Sequence, residues 1–169
     1  GTALNGIQEF TQSGSFTAPA GGTSVLVELW GSGGGGSGSC GNPLGTFAPA
    51  GGAGGGGGGY TRAVLSVTPG ATYNVAIGNG GQGGKSCEID PSSMNGGTGS
   101  VTEITDSASN ILLTTGGGAG GIYGGAGGSA GGGGGSGTSG SNKVARSGGS
   151  GSAPLPLSLI HISEPTRQA

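Results

Sequence analysis

The chain has 169 residues, of which 49 are glycine and only 7% are charged, and its formal net charge is −2. Average usage is about 7% glycine and about 25% charged residues. Weak acidity offers no basic face to nucleic acid or anionic lipid, and no apolar run approaches the roughly 20 residues of a membrane helix. A collagen register is excluded, because there is no strict Gly-X-Y repeat and only 8 prolines. The length suits a single domain with a small core. Without an initiator Met, Gly1 reads as the start of a processed chain or a fragment.

In chain order, helix signals are nearly absent and strand signals recur. Short strands are expected at 6–10 and 13–17. "TSVLVELW" at 23–30 puts Val25, Val27 and Leu29 on one face and Glu28 on the other. The tract 31–59 follows, rich in glycine. "YTRAVLSV" at 60–67 sets Ala63, Leu65 and Val67 against Arg62 and Ser66, and "TYNVAI" at 72–77 sets Tyr73, Val75 and Ile77 against Thr72 and Asn74. A second glycine tract covers 78–99. Strands follow at 100–105 and 110–115, with Val101 and Ile104 on opposite faces, which predicts a bulge or a register change there. A third glycine tract runs from 116 to 153. This spacing predicts an all-β fold, a small antiparallel β-sandwich or jelly-roll-like scaffold. Residues 1–153 form the domain. Residues 154–169 are set aside as a non-native tail, because 157–167 resemble the translation of a sequencing-library adapter.

If consecutive strands pair antiparallel, the tight turns at 18–22, 68–71 and 105–110 close one end of the scaffold. All three glycine tracts then leave from the other end. Two states of those tracts fit the residues. They are flexible loops, the default for glycine, or they are stacked polyproline-II-type helices, which approach closely only where side chains are missing. Trp30 and Tyr60 stand where strands hand over to glycine, as a base for such a stack.

Chemistry has little footing. "VAIGNGGQGGKSC" has the look of a phosphate-binding loop, but counting back from Gly84-Lys85-Ser86 the first required glycine falls on Asn79, and no helix follows. The one histidine, His161, lies in the suspect tail, so no nucleophile has an orienting base. Glu88 and Asp90 read as solvated carboxylates rather than a calcium site. Two cysteines without a neighbouring histidine do not make a zinc site. No enzyme, cofactor or metal is expected. Cys40 and Cys87 fall in the first and second glycine tracts, at the same end, and are either two free thiols or one disulfide.

From "FTQSGSFTAPAGGTSVLVELWGSGGGG" through "GGGGGYTRAVLSVTPGATYNVAIGNGGQGG" to "LLTTGGGAGG", the chain resembles the glycine-rich domain of phage tail-fibre and adhesin proteins and related bacterial surface proteins. The resemblance implies polyglycine-II segments packed at one end of a β-scaffold. It implies a non-enzymatic extracellular or virion protein whose loops contact a host-cell glycan or outer-membrane protein. The alternative is a self-assembling subunit of an extracellular filament or coat, with copies of itself as partners and the Gly1–Phe10 strand as a donor. Candidate surface-contact residues are Asn42, Leu44, Phe47, Glu88, Ile89, Asp90, Met94 and Tyr123. A homo-oligomer is expected, without nucleic acid and without membrane insertion.

Overall fold

A computed structural model describes residues 6–40, 52–123, 141–149 and 159–163. The strands are β1 (Ile7–Phe10), β2 (Gly14–Thr17), β3 (Ser24–Trp30), β4 (Tyr60–Ser66), β5 (Thr72–Ala76), β6 (Thr102–Thr105), β7 (Ile111–Thr115), β8 (Ser141–Arg146) and β9 (Leu159–Ser163). They form two antiparallel sheets, β1-β9-β3-β4-β8 and β2-β5-β6-β7. The fold is a small all-β sandwich. The one helical element among the described residues is a 3-10 turn, Pro91–Met94.

The alternation read from the sequence becomes the inner face. Val25, Val27, Leu29, Ala63 and Leu65 are wholly buried, and they meet Phe16, Tyr73, Val75, Ile104 and Leu113 from the opposite sheet. Burying side chains of this size from both sheets supplies the main driving force for folding. Phe16 and Tyr73 stack at a tilt, with ring centroids 6.4 Å apart. The Tyr73 hydroxyl accepts the Thr68 amide at 2.9 Å, so the ring's polar tip is satisfied inside the core edge.

The turns obey their residues. Thr68-Pro69-Gly70-Ala71 closes with Ala71 N–H donating to Thr68 O at 3.0 Å, and Gly70 has φ 75°. Proline fixes φ at the first central position and glycine admits positive φ at the second, which is a type II turn. At the next turn the Asp106 carboxylate accepts the amides of Ala108 and Asn110, each at 2.9 Å. These bonds, the Asn110 side chain's first among them, hold its pKa below the usual carboxylate value.

Three expectations are corrected. The strand expected at 100–105 starts later, since Val101 is exposed and lies outside β6 while Thr102 and Ile104 take the inner face; the expected register change is present, between Ile104 and Thr105. The tract 116–153 is not glycine-rich loop throughout. Its glycine-free stretch "SNKVAR" is β8, paired to β4 with Tyr60 opposite Arg146. The tail is not outside the fold either, for "LIHIS" forms β9 between β1 and β3.

Candidate functional site

Every described glycine segment continues a strand from one pole. Trp30 is paired with Tyr60, and Tyr60 with Arg146, so the segments 31–40, 52–59 and 147–149 emerge side by side from β3, β4 and β8. In the other sheet Ala76 pairs with Glu103 and Thr102 with Thr115, which brings 78–85, 93–100 and 116–121 to the same pole.

Above the sandwich these segments bond to one another with a period of three. Gly31, Gly34 and Ser37 donate to Gly59, Gly56 and Ala53 at 2.7–2.9 Å. Gly35 and Gly38 donate to Gly97 and Met94. Gly81 and Gly84 donate to Gly33 and Gly36, and Gly118 and Gly121 donate to Ser32 and Gly35. Segment 31–40 is thus a central rod with 52–59, 116–121, 93–100 and 78–85 around it. The outer rods close on each other through Gly56 to Ala119, Gly99 to Gly118 and Gly97 to Gln82. A threefold repeat with its amides turned outward is the signature of polyproline-II geometry, here satisfied laterally by neighbouring rods.

The glycines are required for what they lack. Among the described glycines only Gly70 has φ in the left-handed region, so conformational freedom is not the reason for the others. A Cβ on Gly34 would overlap the Ala119 carbonyl, one on Gly35 the Gln82 carbonyl, one on Gly96 the Gly35 carbonyl and one on Gly118 the Gly56 carbonyl. Side chains appear only where there is room or a task. The buried Ser32 hydroxyl donates to Ser100 O at 2.7 Å, and the Ser37 hydroxyl accepts from Ala53 N at 2.7 Å.

Trp30 and Tyr60 mark the last ladder pair, immediately below the Gly31 to Gly59 bond. Their rings lie 5.2 Å apart, centroid to centroid. They share the outward face of the larger sheet with Glu28, opposite the buried Val27 and Leu29, so they flank the base of the array rather than floor it. The Tyr60 hydroxyl donates to Glu28 Oε1 at 2.7 Å. Partial burial first, and then this bond and the Glu28 charge, push the phenol up to about 12.

The far end of the array is clipped. Cys40, on the central rod, and Cys87 form a disulfide with Cα atoms 4.8 Å apart. Cys87 has φ 52°, an uncommon conformation for a residue with a side chain, at the point where the chain turns off rod 78–85. Asp90 then caps the 3-10 turn. Its carboxylate accepts from Ser92 N at 2.9 Å and from the Ser92 hydroxyl at 2.8 Å, which lowers its pKa.

Of the expected contact residues, Glu88, Ile89 and Asp90 lie together and exposed on this tip, Ile89 at 91%. Met94 is not a contact residue. It is 1% exposed, and its carbonyl accepts the Gly38 amide at 2.8 Å, so it anchors the turn to the central rod. Tyr123 is half-buried beside the tip, with its amide donating to Asn95 Oδ1 at 2.9 Å and its hydroxyl enclosed without a partner among the described residues. Asn42, Leu44 and Phe47 lie outside the described residues. Asp followed by Pro marks a helix start in the sequence, but that Met94 faces inward is set by the cap at Asp90 and the bond to Gly38.

Among the described residues no cluster of three or more His, Cys, Asp or Glu is arranged to hold a metal ion, and no helix is long and apolar enough to cross a membrane. A family model described as a glycine-rich domain matches residues 10–157. Comparison with the curated proteins found no match.

Proposed function

We propose a non-enzymatic, adhesive role for this chain, which belongs to the glycine-rich domain family. The sandwich is the holder, the polyglycine array is a stiff stalk, and the clipped tip carries the contact surface. The observation that carries the reading is the laterally bonded array. A side-chain-free backbone ordered this densely costs more conformational entropy than any other sequence, and what it achieves is to hold the turn at 86–95 away from the scaffold in one orientation. The tip then presents the exposed Ile89 beside Glu88 and Asp90. An apolar anchor inside a polar rim is the anatomy of a small recognition surface.

The partner is a host-cell glycan or an outer-membrane protein, and the setting is extracellular or on a virion, as in phage tail fibres. The Cys40–Cys87 disulfide supports an oxidising setting. The weakly acidic composition supports a role without nucleic acid or membrane insertion. The test is binding of the labelled domain to a panel of intact bacterial cells. Wild type is expected to decorate a subset of strains, and Ile89→Asp to abolish this at unchanged thermal stability. Equal binding by Ile89→Asp on every positive strain would refute the tip as the contact surface.

A second reading, a subunit of a filament or coat, is favoured by one observation. Among the described residues β1 is an edge strand of the larger sheet, joined to it through β9, and an edge strand can be donated to a neighbouring copy. Electron microscopy of concentrated protein separates the two readings, since long regular filaments are expected only of the subunit.

A further inference from the structure

β9 sits between β1 and β3 in regular antiparallel register, with Val27 opposite Ile162 and Trp30 opposite Leu159. The family match ends at residue 157. β3, β4 and β8 therefore fall inside it, and β9 begins beyond it. Residues 157–167 also resemble translated adapter sequence. The part of the larger sheet that the family match covers thus ends at β3.

Sheets protect their edges with short strands, bulges, proline or charge. The outer edges here follow that rule. β8 meets β4 through a register shift between Arg62 and Val64 and carries exposed Lys143 and Arg146. β7 has a shift at Ile104/Thr105. β2 is four residues long and begins with glycine. β3 has none of these devices beyond the single charge of Glu28. Its seven residues, SVLVELW, pair without a shift along β4 and β9 and contain no glycine or proline. Nor does β1 cover this edge in the favoured sense. It runs antiparallel to β9, and β9 runs antiparallel to β3. β1 is therefore parallel to β3, with its direction fixed by the short link at 11–13 to β2, and parallel pairing is the weaker kind.

We infer that the edge of β3 is an acceptor for an added antiparallel strand, and that a second copy of this chain, through its own β3, occupies it whenever residues 159–163 do not. Two such edges meeting about a twofold axis are self-complementary, and main-chain hydrogen bonds provide the attachment. The inference goes beyond the adhesive reading and does not rest on it.

The test frees the edge within the full chain. Ile162→Pro removes an amide from the β9 ladder and opposes strand pairing. A second variant replaces residues 159–163 with alternating glycine and serine. Light scattering after size exclusion is expected to give a monomer of 15.4 kDa for wild type and twice that mass for both variants. A synthetic peptide of residues 157–165 is expected to return the variants to monomer. Folded variants that stay monomeric and do not bind the peptide overturn the inference. So does loss of near-ultraviolet circular dichroism in both variants, because β9 would then be an integral strand and not a replaceable occupant.

Discussion

Adding one methyl group at Gly34 tests whether the array is a packed body. Its Cβ would be driven into the backbone of Gly118–Ala119, which has no flexible side chain to yield. Around that point three rods are tied by Gly34 N to Gly56 O at 2.9 Å, Gly118 N to Ser32 O at 2.8 Å and Gly56 N to Ala119 O at 2.8 Å. Relieving the overlap separates the rods and weakens all three bonds. At about 1 kcal/mol net per bond, that is roughly 3 kcal/mol. The unfolded chain offsets about 0.4–1 kcal/mol of this, because alanine has less conformational freedom to lose than glycine. Gly34→Ala is therefore expected to destabilise by about 2–3 kcal/mol, a large share of a typical total of about 5–15. The control is Gly83→Ala, where a Cβ meets nothing within 4 Å and φ is not in the left-handed region. There only the unfolded-state effect remains, and the variant is expected to be about 0.4–1 kcal/mol more stable. Urea titrations of both variants with the disulfide intact give the comparison. Equal midpoints for Gly34→Ala and Gly83→Ala would refute the packed array.

Other outcomes follow from the same geometry. The disulfide spans a sequence separation of 47, so reduction is expected to lower stability by roughly 4 kcal/mol in the chain-entropy model; urea midpoints with and without reductant measure it, and an unchanged midpoint refutes it. Met94→Ala is expected to cost about 2–5 kcal/mol, as for other buried large-to-small changes, while leaving cell binding by the residual folded protein intact; a loss of binding without loss of stability would restore Met94 as a contact residue. Tyr60 is raised from 10.0 to about 12 in the fold. Its contribution to stability is thus complete below pH 10 and is lost as pH rises toward 12. Ultraviolet titration of tyrosinate should show this late phenol moving down in Glu28→Gln, since that carboxylate both accepts the hydrogen bond of the neutral phenol and repels the phenolate.

The strands were legible because one face of each is buried. In β3 and β4 every second residue is apolar, and those residues are the core. Their alternate direction was enough to bring the glycine tracts to one pole. β8 was hidden because its pairing to β4 is broken by a shift, so "SNKVAR" shows no clean alternation inside a glycine-serine tract. β9 was set aside on the resemblance of its residues to an adapter, although "LIHIS" has the β-branched content of a strand. The neighbours of each rod were not legible at all. In a run such as "GGGGGG" at 54–59 the residues are identical, and the steric demand on each comes from another rod's backbone, as with Gly55 against Gly34 and Gly58 against Gly31. At the tip, the exposure of Ile89 was visible as an apolar residue among polar ones, whereas the inward turn of Met94 depends on the cap at Asp90.

The sandwich and the array cohere by different forces, and temperature separates them. Burial of Val25, Leu29 and Leu65 weakens on cooling, because apolar hydration becomes less unfavourable in cold water. The amide-to-carbonyl rungs between Gly35 and Gly97 or Gly81 and Gly33 do not rest on apolar hydration. Cooling therefore takes more from the cohesion of the sandwich than from that of the stalk, and the share of the domain's stability carried by the amide rungs grows toward low temperature.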